Sequence, residues 1–147
     1  MDAQQELSAI EQIKRLKASY FRCMDTKDWD GFQAVFAPDA TMDTTQEAPD
    51  IDVVQGNENI RRFVEGAVGP VLTVHHGHMP EIEITSPTTA RGIWAMQDFL
   101  KMPEGSPLGV KSLVGYGHYT ETYELVGGEW KIKTLVLTRL RRDVELA

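Results

Sequence analysis

Ile10, Ile13, Leu16 and Tyr20 recur every three or four residues, which predicts a helix with one apolar face; Ser8 followed by Glu11 places a capping box at its start. This helix ends near Asp25. Asp28 can cap a second, short helix with Phe32, Val35 and Phe36 turned inward, stopped by Pro38-Asp39. A short strand over Thr41–Thr45 and the polar loop TQEAPDIDVVQGNEN come next, and Ile60, Phe63 and Val64 mark a third helix over Asn59–Gly66. From Leu72 the period changes to two. Strands are expected over Leu72–Thr85, Ala90–Lys101, Val114–Val126 and Trp130–Arg141, joined by Ser86-Pro87, a loop around Pro103–Pro107 and a Gly127-Gly128 hairpin. Helices first and long strands after argue an α+β fold, with the helices on one face of an antiparallel sheet.

The first long strand contains TVHHGHMPEIEI, with three of the chain's four histidines in four positions. Counting alternation back from Ile82 and Ile84 turns His76 and His78 inward and leaves His75, Glu81 and Glu83 outside. Gly77 and Pro80 can each mark a bulge that exchanges the two faces, so His75 stays in reserve. On the next strand Ala90, Gly92, Trp94, Met96 and Asp98 share one parity, and small Ala90 with Trp94 and Met96 makes that the inner face. Asp98 is then expected opposite His76. In GYGHYTETYE, Tyr119, Glu121 and Tyr123 share a parity, which leaves His118 outside or at a subunit contact.

Composition narrows the classes. The 147 residues suit one domain spanning 1–147, with 41% hydrophobic and 25% charged residues, ordinary globular values. A net charge of −7 and scattered basic residues argue against nucleic acid, with Arg139, Arg141 and Arg142 read as a solvated strand edge. No apolar run reaches membrane-spanning length and the N-terminus does not read as a signal peptide, so a cytoplasmic protein is expected. The single cysteine, Cys23, excludes an intrachain disulfide and is read as a small core residue. Neither GxGxxG nor a P-loop occurs, and no cofactor is implied.

The order of elements, together with EQIKRLKASYFRCMDTKDWDGFQAVFAPDA, TVHHGHMPEIEI, ARGIWAMQDF, GYGHYTETYE and GGEWKIKTLVLTRL, resembles the SnoaL-like branch of the nuclear-transport-factor-2-like superfamily over nearly the whole chain. The likeness is to scytalone-dehydratase-like and bile-acid-dehydratase-like members. It implies a cone: three N-terminal helices packed on a strongly curved antiparallel sheet around one deep pocket. In the dehydratase branch the pocket carries a tyrosine and an aspartate from the first helix, a histidine from the strand after the third helix and often an acid on the next strand. Tyr20, Asp25, His76 and Asp98 stand at the matching places. The fungal scytalone dehydratase pattern has a second pocket histidine after a Gly-aromatic pair; here GIW puts Trp94 there.

The fold hosts several chemistries, so the residues must choose among them. Eliminating water from a β-hydroxy carbonyl compound needs a base for the α-proton, an acid for the departing hydroxyl and a donor to the developing enolate. The expected catalytic set is His76 as acid/base, Asp98 as its orienter, Tyr20 as the carbonyl donor and Asp25 as an auxiliary acid, with His78, Trp94, Met96 and Tyr119 lining the substrate site. Tyr20 and Asp25 are five residues apart, roughly 140° around a regular helix, and converge only if the helix ends or turns near Met24. The leading expectation is therefore a cofactor-independent dehydratase of a small aromatic or polycyclic hydroxy-carbonyl compound. A ketosteroid-isomerase-type isomerase and a non-catalytic ligand-binding or subunit module are the alternatives. A third alternative, a facial metal site of His76, His78 and Asp98, ranks lower. Outward Ile93, Ala95 and Phe99 need cover, which suggests a homo-oligomer, dimer or trimer.

Overall fold

The computed structural model describes residues 1–147. Helix α1 runs Ala3–Asp25, α2 Trp29–Ala34 and α3 Asn57–Val68; the strands are β1 Phe36–Asp43, β2 Val54–Gln55, β3 Leu72–Ser86, β4 Thr89–Lys101, β5 Val110–Val126 and β6 Glu129–Leu146. The six strands form one sheet in the order β2-β1-β6-β5-β4-β3. It is antiparallel except where β1 runs parallel to β6. Helices against this curved sheet make the expected cone, and no helix is long and apolar enough to cross a membrane.

Local chemistry accounts for most boundaries. The capping box of α1 is Asp2 with Gln5, one turn and a half ahead of Ser8, because Asp2 accepts from the Gln5 backbone N–H while the Gln5 side chain accepts from that of Asp2. Asp28 caps α2 through the Gly31 N–H, but α2 stops at Ala34 and Phe36 opens β1. Pro38 thus lies inside a strand. It is tolerated because the β1–β6 register slips between Phe36 and Thr41, leaving that stretch without ladder bonds for a proline to interrupt. Gly127 and Gly128 both have positive φ, 58° and 83°, as a two-residue hairpin turn requires.

The core lies between the helices and the concave face of the sheet. Ile13, Tyr20, Phe21 and Met24 of α1, Phe32 of α2 and Ile60 of α3 pack with Trp94, Met96, Tyr119, Tyr123, Ile132 and Leu135 from the strands. Tyr20 stands at the centre of an aromatic cluster, with ring centroids 5.3–6.0 Å from those of Phe21, Phe32, Phe36 and Tyr119. Burial along β4 alternates as expected, with Ala90, Gly92, Trp94, Met96 and Asp98 inward. On β5, Tyr119, Glu121 and Tyr123 turn inward and His118 outward, half-buried.

One expectation reverses. His76 and His78 are exposed on the convex face, and His75 is the buried histidine. Between His78 and Glu81 the β3–β4 register slips, with Met79 at φ 37°. That bulge adds one residue, so the alternation read back from Ile82 and Ile84 changes sides before it reaches the histidines.

Candidate active site

At the mouth of the cone is a cavity of about 450 Å³ whose wall is mostly apolar. Tyr20, Met24, Phe63, Val64, Leu100, Leu135 and Leu137 supply much of that wall, and the polar groups on it include His75, Asp98, Tyr119, Arg139 and Glu47. A hollow of about 510 Å³ on the other side of α1, lined by Gln12, Arg15, Arg22 and Lys131 among others, opens more broadly to solvent and contains no histidine.

Strand pairing brings the first two polar groups together. His75 and Asp98 are direct partners in the β3–β4 register, so both project to the concave face. The His75 ring is then fixed from behind by the last residue of α1: Nδ1 lies 2.7 Å from Asp25 Oδ1, and the His75 backbone N–H donates to Asp25 Oδ2 at 2.8 Å. The Thr73 hydroxyl donates to Asp25 Oδ1 at 2.9 Å, and Lys27 Nζ donates to Thr73 Oγ1 and to the Val68 carbonyl. Phe21 stacks near-parallel to the imidazole, with centroids 6.1 Å apart.

These contacts decide the tautomer. Partial burial works to raise the Asp25 carboxyl, but hydrogen bonds from the His75 ring and backbone N–H, the His75 charge and the Thr73 hydroxyl outweigh it and hold Asp25 below the usual carboxylate range. An ionised carboxylate only accepts, so Nδ1 carries a proton whether or not the ring is charged, and the neutral form of His75 is the tautomer that presents bare Nε2 to the cavity. Asp25 is the orienting acid. Helix α1 continues unbroken to Asp25, which is not on the cavity wall: Tyr20 lines the cavity directly, whereas Asp25 reaches it only through the His75 ring it holds.

Asp98 is otherwise engaged. Its oxygens accept from Arg139 Nη1 at 2.6 Å and Nη2 at 2.9 Å, whereas His75 Nε2 is 3.7 Å from Oδ2, too far for a hydrogen bond. Arg139 Nη2 also donates to Glu47, at 3.0 Å, in the β1–β2 connection, and its backbone N–H donates to the Gln46 side chain. Burial opposes the Arg139 charge, but the hydrogen bonds and charges of Asp98 and Glu47 hold its pKa above the ordinary arginine value. Gly115 makes room for this pair, since a Cβ there would overlap Arg139 Nη1 and Asp98 Oδ1. The Arg139 side chain is only 8% exposed, a correction to its reading as solvated edge. The signal was present in β6, where Leu135, Leu137 and Arg139 continue one alternation.

The remaining expected residues divide. Tyr20 and Tyr119 are on the cavity wall. Trp94 and Met96 face the core but are not on that wall: Trp94 Nε1–H donates to the Tyr123 hydroxyl at 3.0 Å, and Met96 Sδ sits 3.7 Å from Arg139 Nη1. His76 and His78, on the opposite side of the sheet from Asp98, cannot gather with it around one metal ion. Glu47 was missed because it lies in a polar connection without periodicity.

The chain matches the model of the SnoaL-like domain over residues 5–136. It belongs to the SnoaL-like family. Among curated relatives of this SnoaL-like chain is the "Probable cyclase FGR4" of Gibberella zeae, 30% identical over 146 residues and covering 92% of each chain. Solved structures with the same fold include a protein of Novosphingobium aromaticivorans named as a candidate scytalone dehydratase, at 21% identity and TM-score 0.85, covering 99% of this chain and 93% of that one. A type 2 hexachlorocyclohexane dehydrochlorinase, LinA, aligns at 20% identity and TM-score 0.85 over 99% and 95% of the two chains. At these identities the structures establish the NTF2-like cone of this SnoaL-like protein, and the chemistry rests on its own residues.

Proposed function

We propose that this SnoaL-like protein is a cofactor-independent lyase of dehydratase type acting on a small, neutral hydroxy-carbonyl compound with an apolar ring system. The observation that carries the reading is the Asp25–His75 pair, which directs Nε2 of a tautomerically fixed imidazole into an apolar cavity beside two phenols. Nε2 takes the proton α to the carbonyl, and Asp25 stabilises the resulting imidazolium. Tyr20 and Tyr119 donate to the carbonyl oxygen as it gains charge. The imidazolium returns its proton to the β-hydroxyl, which departs as water, so the product is the conjugated carbonyl compound and the enzyme regains its starting state. Burial pushes both phenols above their ordinary range, so they act as O–H donors and not as bases. Asp98 and Glu47 outnumber Arg139 among the carboxylate and guanidinium groups on the wall, with Asp25 behind, which disfavours an anionic substrate.

A second reading, cyclisation from the same enolate, is favoured by the relative named as a cyclase. Both need the same proton abstraction and differ in whether the enolate expels the protonated hydroxyl as water or closes a ring. The test is a panel of neutral aromatic and alicyclic β-hydroxy ketones followed by enone absorbance and mass change, with His75→Gln and Asp25→Asn alongside. A loss of 18 mass units supports dehydration, and unchanged mass with a new ring supports cyclisation. Turnover that is the same in wild type and His75→Gln would remove His75 from the acid–base role, and binding without turnover would leave a binding module.

A further inference from the structure

Behind the cavity wall lies a charge that the proposed reaction does not use. Lys17, on α1 one turn before Tyr20, is fully buried, and its Nζ is 2.7 Å from Glu121 Oε2, which is equally buried. Glu121 Oε1 accepts from the Tyr123 hydroxyl at 2.7 Å, which in turn accepts from Trp94 Nε1–H at 3.0 Å. This chain pins the carboxylate. The ammonium it holds sits 3.7 Å from the ring centroid of Tyr20 and 3.6 Å from that of Tyr119, with Phe21 at 5.0 Å. Lys17 itself is not on the cavity wall, while both tyrosines are.

A buried ion pair is poor value as a stability device, because desolvating two charges offsets much of their attraction and apolar residues of similar volume often serve as well. Its position between the two phenols supplies a different reason. We propose that Lys17 is a positioning residue of the site: its ammonium, clamped by Glu121 between the faces of Tyr20 and Tyr119, polarises both phenols and strengthens their hydroxyls as donors to a substrate oxygen that gains negative charge. The inference rests on the reading that these phenols face that oxygen. A cation on a ring face draws on the ring quadrupole and withdraws density from the attached oxygen. In a site without water that field is weakly screened and is already in place before reaction. The titratable groups around Lys17 are Tyr20 on its own helix and Tyr119, Glu121 and Tyr123 on β5.

The test needs no substrate. Protein carrying [13Cζ]tyrosine and [15Nζ]lysine is titrated from about pH 6.5 to about pH 9.5, below the ordinary tyrosine range. The four tyrosines are assigned by single Tyr→Phe variants. The Tyr20 and Tyr119 Cζ signals are expected to step together with Lys17 Nζ at a midpoint near 8, with no such step at Tyr116 on the convex face. The step is expected to vanish in Lys17→Met/Glu121→Gln, which removes both charges and keeps an acceptor for Tyr123. Phenol signals that stay flat while Lys17 titrates, or a step that survives in the double variant, overturn the proposal. If the double variant does not fold, the wild-type titration decides alone. With a substrate from the hydroxy-ketone panel, the double variant is expected to lower kcat about tenfold, the scale of a desolvated cation–π contact, and to leave KM within about twofold. Responsive phenols with unchanged kcat would overturn the positioning role, whereas failure of the His75 mechanism leaves the phenol titration unaffected.

Discussion

Lys17 also makes folding stability depend on pH in a direction unusual for a lysine with an acidic partner. Burial lowers its pKa and the Glu121 charge and hydrogen bond raise it; burial prevails, bringing the value from 10.5 down to about 8. Between those values the unfolded chain holds a proton that the folded chain has released, so stability rises with pH across that window and the penalty is complete below it. At ~1.4 kcal/mol for each pH unit, the full span is worth ~3 kcal/mol, and the part between about pH 7 and pH 9.5 is ~2 kcal/mol. Other groups act in the same range. The buried Cys23 thiol and the Tyr20, Tyr119 and Tyr123 phenols are raised, chiefly by burial, and oppose the trend, while Lys27 is lowered by burial and adds to it. The measurement is therefore the difference in urea-unfolding free energy between wild type and Lys17→Met/Glu121→Gln at several pH values, in which the shared groups cancel. The wild type is expected to gain ~2 kcal/mol on the double variant between about pH 7 and pH 9.5. A flat difference would show that the attraction of Glu121 matches or exceeds the cost of burial, so that the Lys17 pKa is not lowered.

The site supports further predictions. On a turned-over hydroxy ketone, His75→Gln is expected to lower kcat by ~10²–10⁴, the usual yield of a positioned acid–base group, while His76→Gln on the convex face stays within about twofold; steady-state kinetics on the two variants separates them. Asp25→Asn removes the ionised acceptor that fixes the tautomer, so kcat is expected to fall with KM nearly unchanged, and NMR of the ring nitrogens should show the Nδ1–H preference weakened. Gly115→Ala places a methyl on the Arg139–Asp98 pair; a loss of ~1–3 kcal/mol by thermal unfolding is expected, and no loss would mean that the guanidinium moves aside freely. On the convex face Val74 and Ile93 remain 41% and 40% exposed; we propose that a second or third copy of the chain covers them, with Ile93→Lys expected to yield monomer by light scattering, and unchanged mass counting against that interface.

The architecture was legible because the helices and most of each long strand keep their period and carry their own punctuation: Asp28 before α2, Gly127-Gly128 between β5 and β6, and a parity along β4 that places Asp98 inward without ambiguity. The facing of Tyr20, Asp98 and Tyr119 was legible for the same reason, since each sits on an unbroken run, whereas Asp25 was suggested by the family resemblance against the helix arithmetic. What escaped depends on long-range pairing. Lys17 looks like any helix lysine until Glu121, 104 residues away, is folded against it, and Glu47 acquires meaning only when β6 delivers Arg139 beside it. The two aspartates were expected in other roles, Asp98 as orienter and Asp25 as auxiliary acid, because which of them holds the histidine depends on how the carboxylates are shared between one imidazole and one guanidinium.

The bulge at Met79 shows why the histidine segment in particular resists one-dimensional reading. Period-2 arithmetic is reliable only within an uninterrupted ladder, and β3 contains two long ladders joined by a slipped register between His78 and Glu81, with a second slip at its end beyond Ile84. The half carrying Ile82 and Ile84 packs against the core edge, whereas the half carrying Thr73 and His75 is tied to Asp25 at the end of α1. The Thr73 hydroxyl, the His75 ring and the His75 backbone N–H thus form a unit whose facing is set by hydrogen bonds to α1 and not by apolar burial. A count started from Thr73 would have turned His75 inward, and one started from Ile82 turns His76 inward; the extra residue reconciles them. It follows that deleting Met79 should force the two halves into one register. The Asp25 contacts and the burial of Ile82 and Ile84 could then no longer both be kept. The deletion is expected to destabilise the fold or release His75 from Asp25, and retention of both native stability and the His75 NMR signature would show that the bulge is not what sets the face.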